Sequence, residues 1–335
     1  MKTGLIYDAS LPESFKKHLT AAVNHMQMND AATVAIGGAW IEQQVREILP
    51  TIWEQKYPNK PLLNFMSVNN SGALMDSLIQ RIQSFSGRHK GSHESSDTSG
   101  KINLNRTAKE QLILTYDASS EYDDVSLRRS ILLNENIDSG LITSHNQSYM
   151  NMIDEIGFLG VTLENGDLVN SGLANYTNVL SALDVDSTDV FSNLSGLQIY
   201  EQIAGLYNEA VGQAGGNDTL FPKVCVLPPK QFSDISTKMM TGTSPVTAYV
   251  TVKQYLEANL GIKCYASSRM VGVAEGFDRL VLLNNAPENM QMFIPQPLQF
   301  APINIRGFKY ELFSKFRVAG VGINFANAIS YLNKI

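Results

Sequence analysis

Apolar residues recur at spacings of three and four between Ile36 and Tyr57, where Trp40, Ile41, Val45, Ile48, Leu49 and Ile52 share one face. That spacing predicts a helix, and Pro58 and Pro61 end it. Residues 1–35 show no such period and read as an extended arm. From 62 to 85 the pattern loosens toward alternation, compatible with strands or a hairpin arm. Alternation returns from Ile102 to Tyr116. Between these runs lies SGRHKGSHESSDTSGK, residues 86–101, without a single apolar side chain. Such a stretch has nothing to bury. Together the two runs predict a long two-stranded arm with a mobile tip.

Further along, Ile142, Tyr149, Met152, Ile153, Ile156 and Leu159 fall on one stripe of a helix from about 139 to 160 that Asp138 could cap. About six turns is long for a globular helix. Gly157 and Gly160 near its end suggest close backbone contact or a stop. From about 195 to 285 helical and strand patterns alternate. Leu197, Tyr200, Ile203, Leu206, Tyr207 and Ala210 mark one helix, and Val246–Leu260 another. Strands are expected at Lys223–Leu227, Ile262–Ala266 and Arg279–Leu283, with Pro228–Pro229 opening a further helix. This block reads as a compact α/β unit, and the tail from 290 to 335 as strand-rich.

Composition sharpens the picture. The 335 residues suggest about two domains, and the 44% hydrophobic share excludes disorder of the whole chain. Only 17% are charged, and 27 Asn help to fill the gap. Charges are depleted from interface cores, so this balance points toward a self-associating subunit. A net charge of −6 argues against a nucleic-acid clamp, which needs a surplus of Lys and Arg. No signal peptide and no run of ~18 apolar residues is found, so the expectation is a soluble chain without membrane partners. Two cysteines make neither a disulfide framework nor a zinc site, which fits a reducing compartment.

The search for catalytic chemistry is negative. His89 and His93 sit four apart near Glu94 and Asp97, but in the tract expected to be mobile, where no shell of supporting groups could hold a metal. The G-x-G of Gly320 and Gly322 lacks the residues that would open a helix after it, and reads as a strand interior near a tight contact. Cys225 and Cys264 lie in apolar runs as small hydrophobes. No catalytic, metal-binding or cofactor-binding residue is expected, and the chain is expected not to be an enzyme.

One ordered set of phrases carries a resemblance. EQLILTYDASSEYDDVSLRRSILLNENID, then Ile156-Gly157-Phe158-Leu159-Gly160, then Gly172-Leu173-Ala174-Asn175 resemble the central region of phage major capsid proteins of the HK97-like fold, in a subgroup related to encapsulins. Downstream, PKVCVLPPKQFSDI, TVKQYLEANLGIKCY and the closing phrase containing Pro302, Tyr310, Arg317, Gly320, Val321 and Ala328 continue the likeness over about 110–335. The resemblance implies an α+β, HK97-like capsid fold. Its parts would be an N-terminal arm (1–35), a first helix region (36–61), an E-loop (62–118, tip 86–101), a P-domain (119–175 and 286–335, with its spine helix at about 139–160) and an A-domain (176–285).

The function implied is that of a major capsid protein, self-assembling in hexamers and pentamers into the icosahedral head of a tailed bacteriophage. The shell would enclose double-stranded DNA without sequence-specific binding, and would be assembled in the host bacterial cytoplasm. Scaffold, portal and decoration proteins are the further partners implied. The alternative is an encapsulin-type nanocompartment shell around an enzyme cargo. Inter-subunit contacts are expected at the loop tip, through Arg88, Lys90, Glu94 and Asp97. No large scaffolding domain is expected within the chain, and no covalent cross-link of Lys90 or Lys101 to an Asn such as Asn324 or Asn327.

Overall fold

The computed structural model describes residues 60–89, 101–133, 137–163, 167–185, 190–240 and 250–335. The expected arm at 1–35, the helix at 36–57 and most of the polar tip lie outside the described residues. The described chain enters through a single helical turn, α1 (Leu62–Phe65), and a two-residue strand, β1 (Val68–Asn69). Leu62, Phe65 and Met66 are buried in the main core, so this part of the alternating stretch is helical and inward-facing.

The long arm is real. Strands β2 (Ser77–Gly87) and β3 (Ile102–Leu112) pair along all eleven positions, from Ser77 with Leu112 to Gly87 with Ile102. The second strand does not run on to Tyr116 as its alternation suggests. Ile113 interrupts it, buried with Phe293, Ala319 and Leu78, and its N–H donates to the Asp76 carbonyl at 2.9 Å. This apolar anchor turns the chain into β4 (Leu114–Asp123), which belongs to a different sheet.

The stretch that follows β4 is a ten-residue helix, α2 (Asp124–Leu133). Asp123 Oδ1 accepts the Ser126 N–H at 2.8 Å at its start, and Arg128 pairs with Asp124 at 2.9 Å one turn back. The long helix α3 (Ile137–Leu159) follows, 23 residues or about 34 Å. Asp138 lies inside it rather than capping it. Gly160 is the stop: its φ of +88° is left-handed, and a Cβ there would sit 2.2 Å from the Asn170 carbonyl. Gly157 supplies the close contact, with Leu62 packed where a side chain would be.

A short ribbon of β5 (Val161–Thr162) and β6 (Leu168–Asn170) leads to the Gly172–Asn175 phrase, which caps α3. Leu173 and Ala174 donate their N–H groups to the carbonyls of Gly157 and Phe158, and Asn175 Nδ2 reaches the Leu159 carbonyl at 2.6 Å. These are the carbonyls that a helix end leaves without partners.

The α/β unit contains β7 (Ser181–Asp184), α4 (Gly196–Gln213), β8 (Val224–Leu227), α5 (Pro229–Thr237), α6 (Val252–Asn259), β9 (Lys263–Ala266) and β10 (Arg279–Leu283). Helix α6 begins six residues later than its apolar period suggests, because Thr251 and Gln254 form a capping box that sets its start. Ser195 and Gln198 do the same for α4. The tail supplies β11 (Met290–Phe293), β12 (Gln296–Phe300), β13 (Asn304–Arg306), β14 (Lys309–Val318), β15 (Gly320–Ile323) and β16 (Ile329–Asn333).

Three larger sheets result, in the orders β1-β11-β15, β7-β16-β10-β8-β9, and β12-β14-β13 with β4 on the far side of β14. The middle sheet separates two cores. Val224, Val226, Val281 and Leu283 face α3, whereas Cys225, Leu227, Leu280 and Leu282 face α4, α5 and α6. That double burial explains why VCVL and LVLL read as unbroken apolar runs.

Candidate functional site

Among the described residues, the hydrogen bonds that fasten the β2–β3 hairpin to the rest of the fold lie at its base. Strand β15 is the edge of its sheet, and hairpin side chains occupy its carbonyls: Lys109 Nζ donates to Ile323 at 2.9 Å and Gln111 Nε2 to Val321 at 2.9 Å. Lys109 also reaches the Tyr176 hydroxyl at 3.2 Å. Gly322 makes the approach possible, since a Cβ there would lie 2.3 Å from Gln80 Nε2. Asn170 Nδ2 bridges the Leu112 and Ala319 carbonyls, both at 2.8 Å. Arg317 donates to the carbonyls of Ala73 and Met75 at 2.6 and 2.9 Å and faces Asp76 at 3.5 Å. The expected tight contact at the G-x-G is therefore the seat of the arm.

Beyond this base the register divides the hairpin into two unlike faces. Paired residues share a face, so Ser84 and Ser86 lie with Asn105 and Asn103 on one side. The other side gathers Ile79, Phe85, Leu104, Ile102 and Leu112, all exposed, with Phe85 78% exposed. Arg81, Gln83 and Arg106 lie on the same side, between Ile79 and Leu112 at the base and the cluster of Phe85, Leu104 and Ile102 at the outer end. A second apolar patch lies at the turn between β13 and β14, where Phe308 is 84% exposed beside Ile305 and Ile303. Contiguous exposed apolar side chains of this kind mark interaction surfaces.

Arg88 lies exposed just past the end of β2, whereas Lys90, Glu94 and Asp97 lie outside the described residues. Sequence reasoning placed the contact on the polar tip and did not single out the exposed apolar cluster of the hairpin. Its signal, Ile79 and Phe85 in phase with Ile102 and Leu104, becomes readable only through the pairing register.

The buried polar groups have structural partners. His145 bridges Ser120 Oγ at 3.0 Å and Ser314 Oγ at 2.7 Å, joining α3 to β4 and β14, with its ring edge-on to Phe300. Cys225 and Cys264 are register partners on β8 and β9, and burial pushes the Cys225 thiol well above its ordinary range. A thiol so held is not a nucleophile. Burial likewise raises the Tyr331 hydroxyl, which donates to the Leu173 carbonyl at 2.7 Å, while Arg279 stacks on its ring. Asn324 and Asn327 donate to the carbonyls of Glu288 and Gln213. Among the described residues no three His, Cys, Asp or Glu side chains are grouped to hold a metal.

A profile described as major capsid protein matches residues 87–335. The chain belongs to the major capsid protein family. This capsid protein is similar in structure to the capsid of Myoviridae phage XM1, with a TM-score of 0.78 and 26% identity, covering 88% of this chain and 98% of that one. It shares a fold with the capsid of a native GTA particle (TM-score 0.62, 12% identity, 86% and 94% covered). The same holds for a structure from Mycobacterium phage Ogopogo (0.61, 10%, 88% and 98%). No curated protein matches the chain. The sequence resemblance is thus met at the level of family: this is a phage major capsid protein, a structural subunit that joins copies of itself in the capsid of the virion.

Proposed function

We propose that this capsid protein forms the icosahedral head of a tailed bacteriophage, in hexamers and pentamers that enclose double-stranded DNA. The HK97-like parts follow the chain. The hairpin is the E-loop; residues 119–175 and 286–335 form the P-domain around α3 as spine helix; residues 176–285 form the A-domain; residues 1–35 are the N-terminal arm. The buried positions of Leu62, Phe65 and Met66 favour an E-loop confined to the hairpin and its tip rather than one starting at 62. A net charge of −6 suits a wall that holds DNA without gripping it. Assembly takes place in the bacterial cytoplasm with scaffold, portal or decoration proteins as separate partners, and the subunit has no enzymatic or cofactor-dependent role.

The observation that carries this reading is the eleven-residue hairpin with Phe85, Leu104 and Ile102 exposed together near its outer end. A two-stranded ribbon is marginal in water on its own. Burial of Phe85, Leu104 and Ile102 on a neighbour would remove that weakness, with Arg88, Lys90, Glu94 and Asp97 as polar contacts at the tip. Electron microscopy of the expressed chain tests the proposal. Uniform round particles or capsomers are expected, and a monodisperse monomer under all assembly conditions would overturn it. The nanocompartment alternative draws no separate support from any of these observations.

A further inference from the structure

The geometry points to the free edge of β4 as a strand-addition site for the β2–β3 hairpin of a second copy. The inference rests on the shell reading above and adds the mode of contact. Two hydrogen bonds set the phase of the ladder. The Asp124 N–H donates to the Phe308 carbonyl at 3.0 Å, and the Ala301 N–H to the Phe313 carbonyl at 2.9 Å. Even-numbered residues of β14 therefore bond to β4, and odd-numbered ones to β12 and β13. In an antiparallel ladder the bonded pairs alternate. Thr115, Asp117, Ser119 and Glu121 consequently turn their N–H and C=O groups away from β14. Among the described residues β4 pairs with β14 alone.

Open edges are normally blunted by charged side chains, lysine above all, by proline or by a bulge. Strand β4, LTYDASSEYD, has no lysine, proline or bulge; its charges are all carboxylates, which a cationic strand can pair, and its ten pairs with β14 run without a register shift. The same features make it a template for another strand. The hairpin is matched to it in length, charge and sidedness. Eleven paired residues meet ten. Strand β4 carries three carboxylates and no cation, with Glu121 paired to Lys309 at 3.1 Å, whereas the hairpin beyond its seat carries Arg81 and Arg106, with Arg88 and Lys101 at its outer end. Tyr116 and Tyr122 on one face of β4 stack against Phe316 and Tyr310, and Asp117, Ser119 and Glu121 occupy the other. An added hairpin strand would continue the aromatic face with Phe85 and Leu104, and the polar face with Ser84 and Asn105.

Hydrogen exchange read at single amides in free subunits and assembled shells tests this. The amides of Thr115, Asp117, Ser119 and Glu121 are expected to exchange at least about tenfold more slowly in the shell, while those of Tyr116 and Ala118 are already protected in the subunit. Ser119→Pro removes an outward N–H that β14 does not use, a place where an edge strand tolerates proline. It is expected to keep the wild-type melting transition and to lower particle yield at least about tenfold, with Ser119→Ala unaffected. A carbodiimide, which joins touching carboxylates and amines, should link Lys101 of one copy to Asp117 of another, or to Glu121 in competition with the Lys309 of its own chain at 3.1 Å. Wild-type shells whose outward amides stay labile would overturn the inference and leave the shell reading intact. Links from these carboxylates only to lysines before residue 60 would assign the edge to a different segment and also overturn it. Failure of wild-type chains to assemble at all would instead overturn the shell reading. Should Ser119→Pro not fold, the exchange pattern and the cross-links decide.

Discussion

Asp154 lies on the inner side of α3, buried, with the Leu62 N–H as a backbone donor and no hydrogen-bond partner for Oδ1 among the described residues. Burial is the largest influence on it and holds the carboxyl above the usual carboxylate range, against the pull of Arg269 and Lys60. The folded chain therefore binds this proton more tightly than the unfolded chain does. Its contribution to stability is full below the ordinary carboxylate value of about 3.9 and is lost as pH rises through the raised value. Asp154→Asn keeps an acceptor for Leu62 without the buried charge. It should be more stable than wild type at pH 8, with the gap closing toward pH 4, as urea denaturation at several pH values would measure. Asn175 is the opposite case, a polar side chain fully used. It accepts the Gly172 N–H at 2.7 Å and donates to the Leu159 carbonyl. Asn175→Ala should cost about 1–3 kcal/mol by leaving a helix-end carbonyl and a loop amide without partners, read as a lower denaturation midpoint.

At the scale of elements, two junctions depend on backbone that approaches too closely for a side chain. At Gly160 the obstruction is main chain, and φ is left-handed, so Gly160→Ala must move α3 or β6. It should destabilise the subunit by more than Gly205→Ala, where nothing lies within 4 Å of the added carbon and helix propensity alone favours alanine by about 1 kcal/mol. Thermal melting of the two variants side by side checks the order. The other junction is the hairpin seat. Lys109→Met removes the donor to Ile323 and Tyr176 at a cost of about 1 kcal/mol, modest because the ammonium is only half-buried. Its clearer consequence is local: limited proteolysis within 77–112 should accelerate while the α/β unit stays resistant. A uniform rise in cleavage along the chain would contradict the hairpin being held mainly at its base.

For the whole molecule, stability and assembly should separate. The two cores lie around α3 and on the other face of the middle sheet, and none of the outer hairpin residues belongs to either. Phe85→Ser with Leu104→Ser therefore removes exposed side chains only, and should shift subunit stability by no more than about 0.5 kcal/mol. Particle yield by sedimentation should fall sharply. Equal loss of both would mean that the hairpin supports the fold of its own subunit.

Much of this architecture is local and therefore written in the residue order. The 3.6-residue stripe from Ile142 to Leu159, the prolines opening α5, the stop at Gly160 and the polar gap between the hairpin strands each express a neighbour-scale preference. Family likeness is legible for the same reason, since its phrases are the helix end and the loop that caps it. What the residue order could not decide is which face meets what. Alternation across 102–116 looks the same whether one strand or two; only Phe293 and Ala319, some two hundred positions away, make Ile113 an anchor and a break. Asp154 looks like an outward polar position on α3 until Leu62 arrives from elsewhere, and His145, in phase with the apolar stripe, finds partners only when Ser120 and Ser314 do. The short start of α6 depends on a cap that outweighs periodicity. Periodicity fixes the angle between side chains along one element, whereas burial depends on a second element whose position only the long-range packing sets.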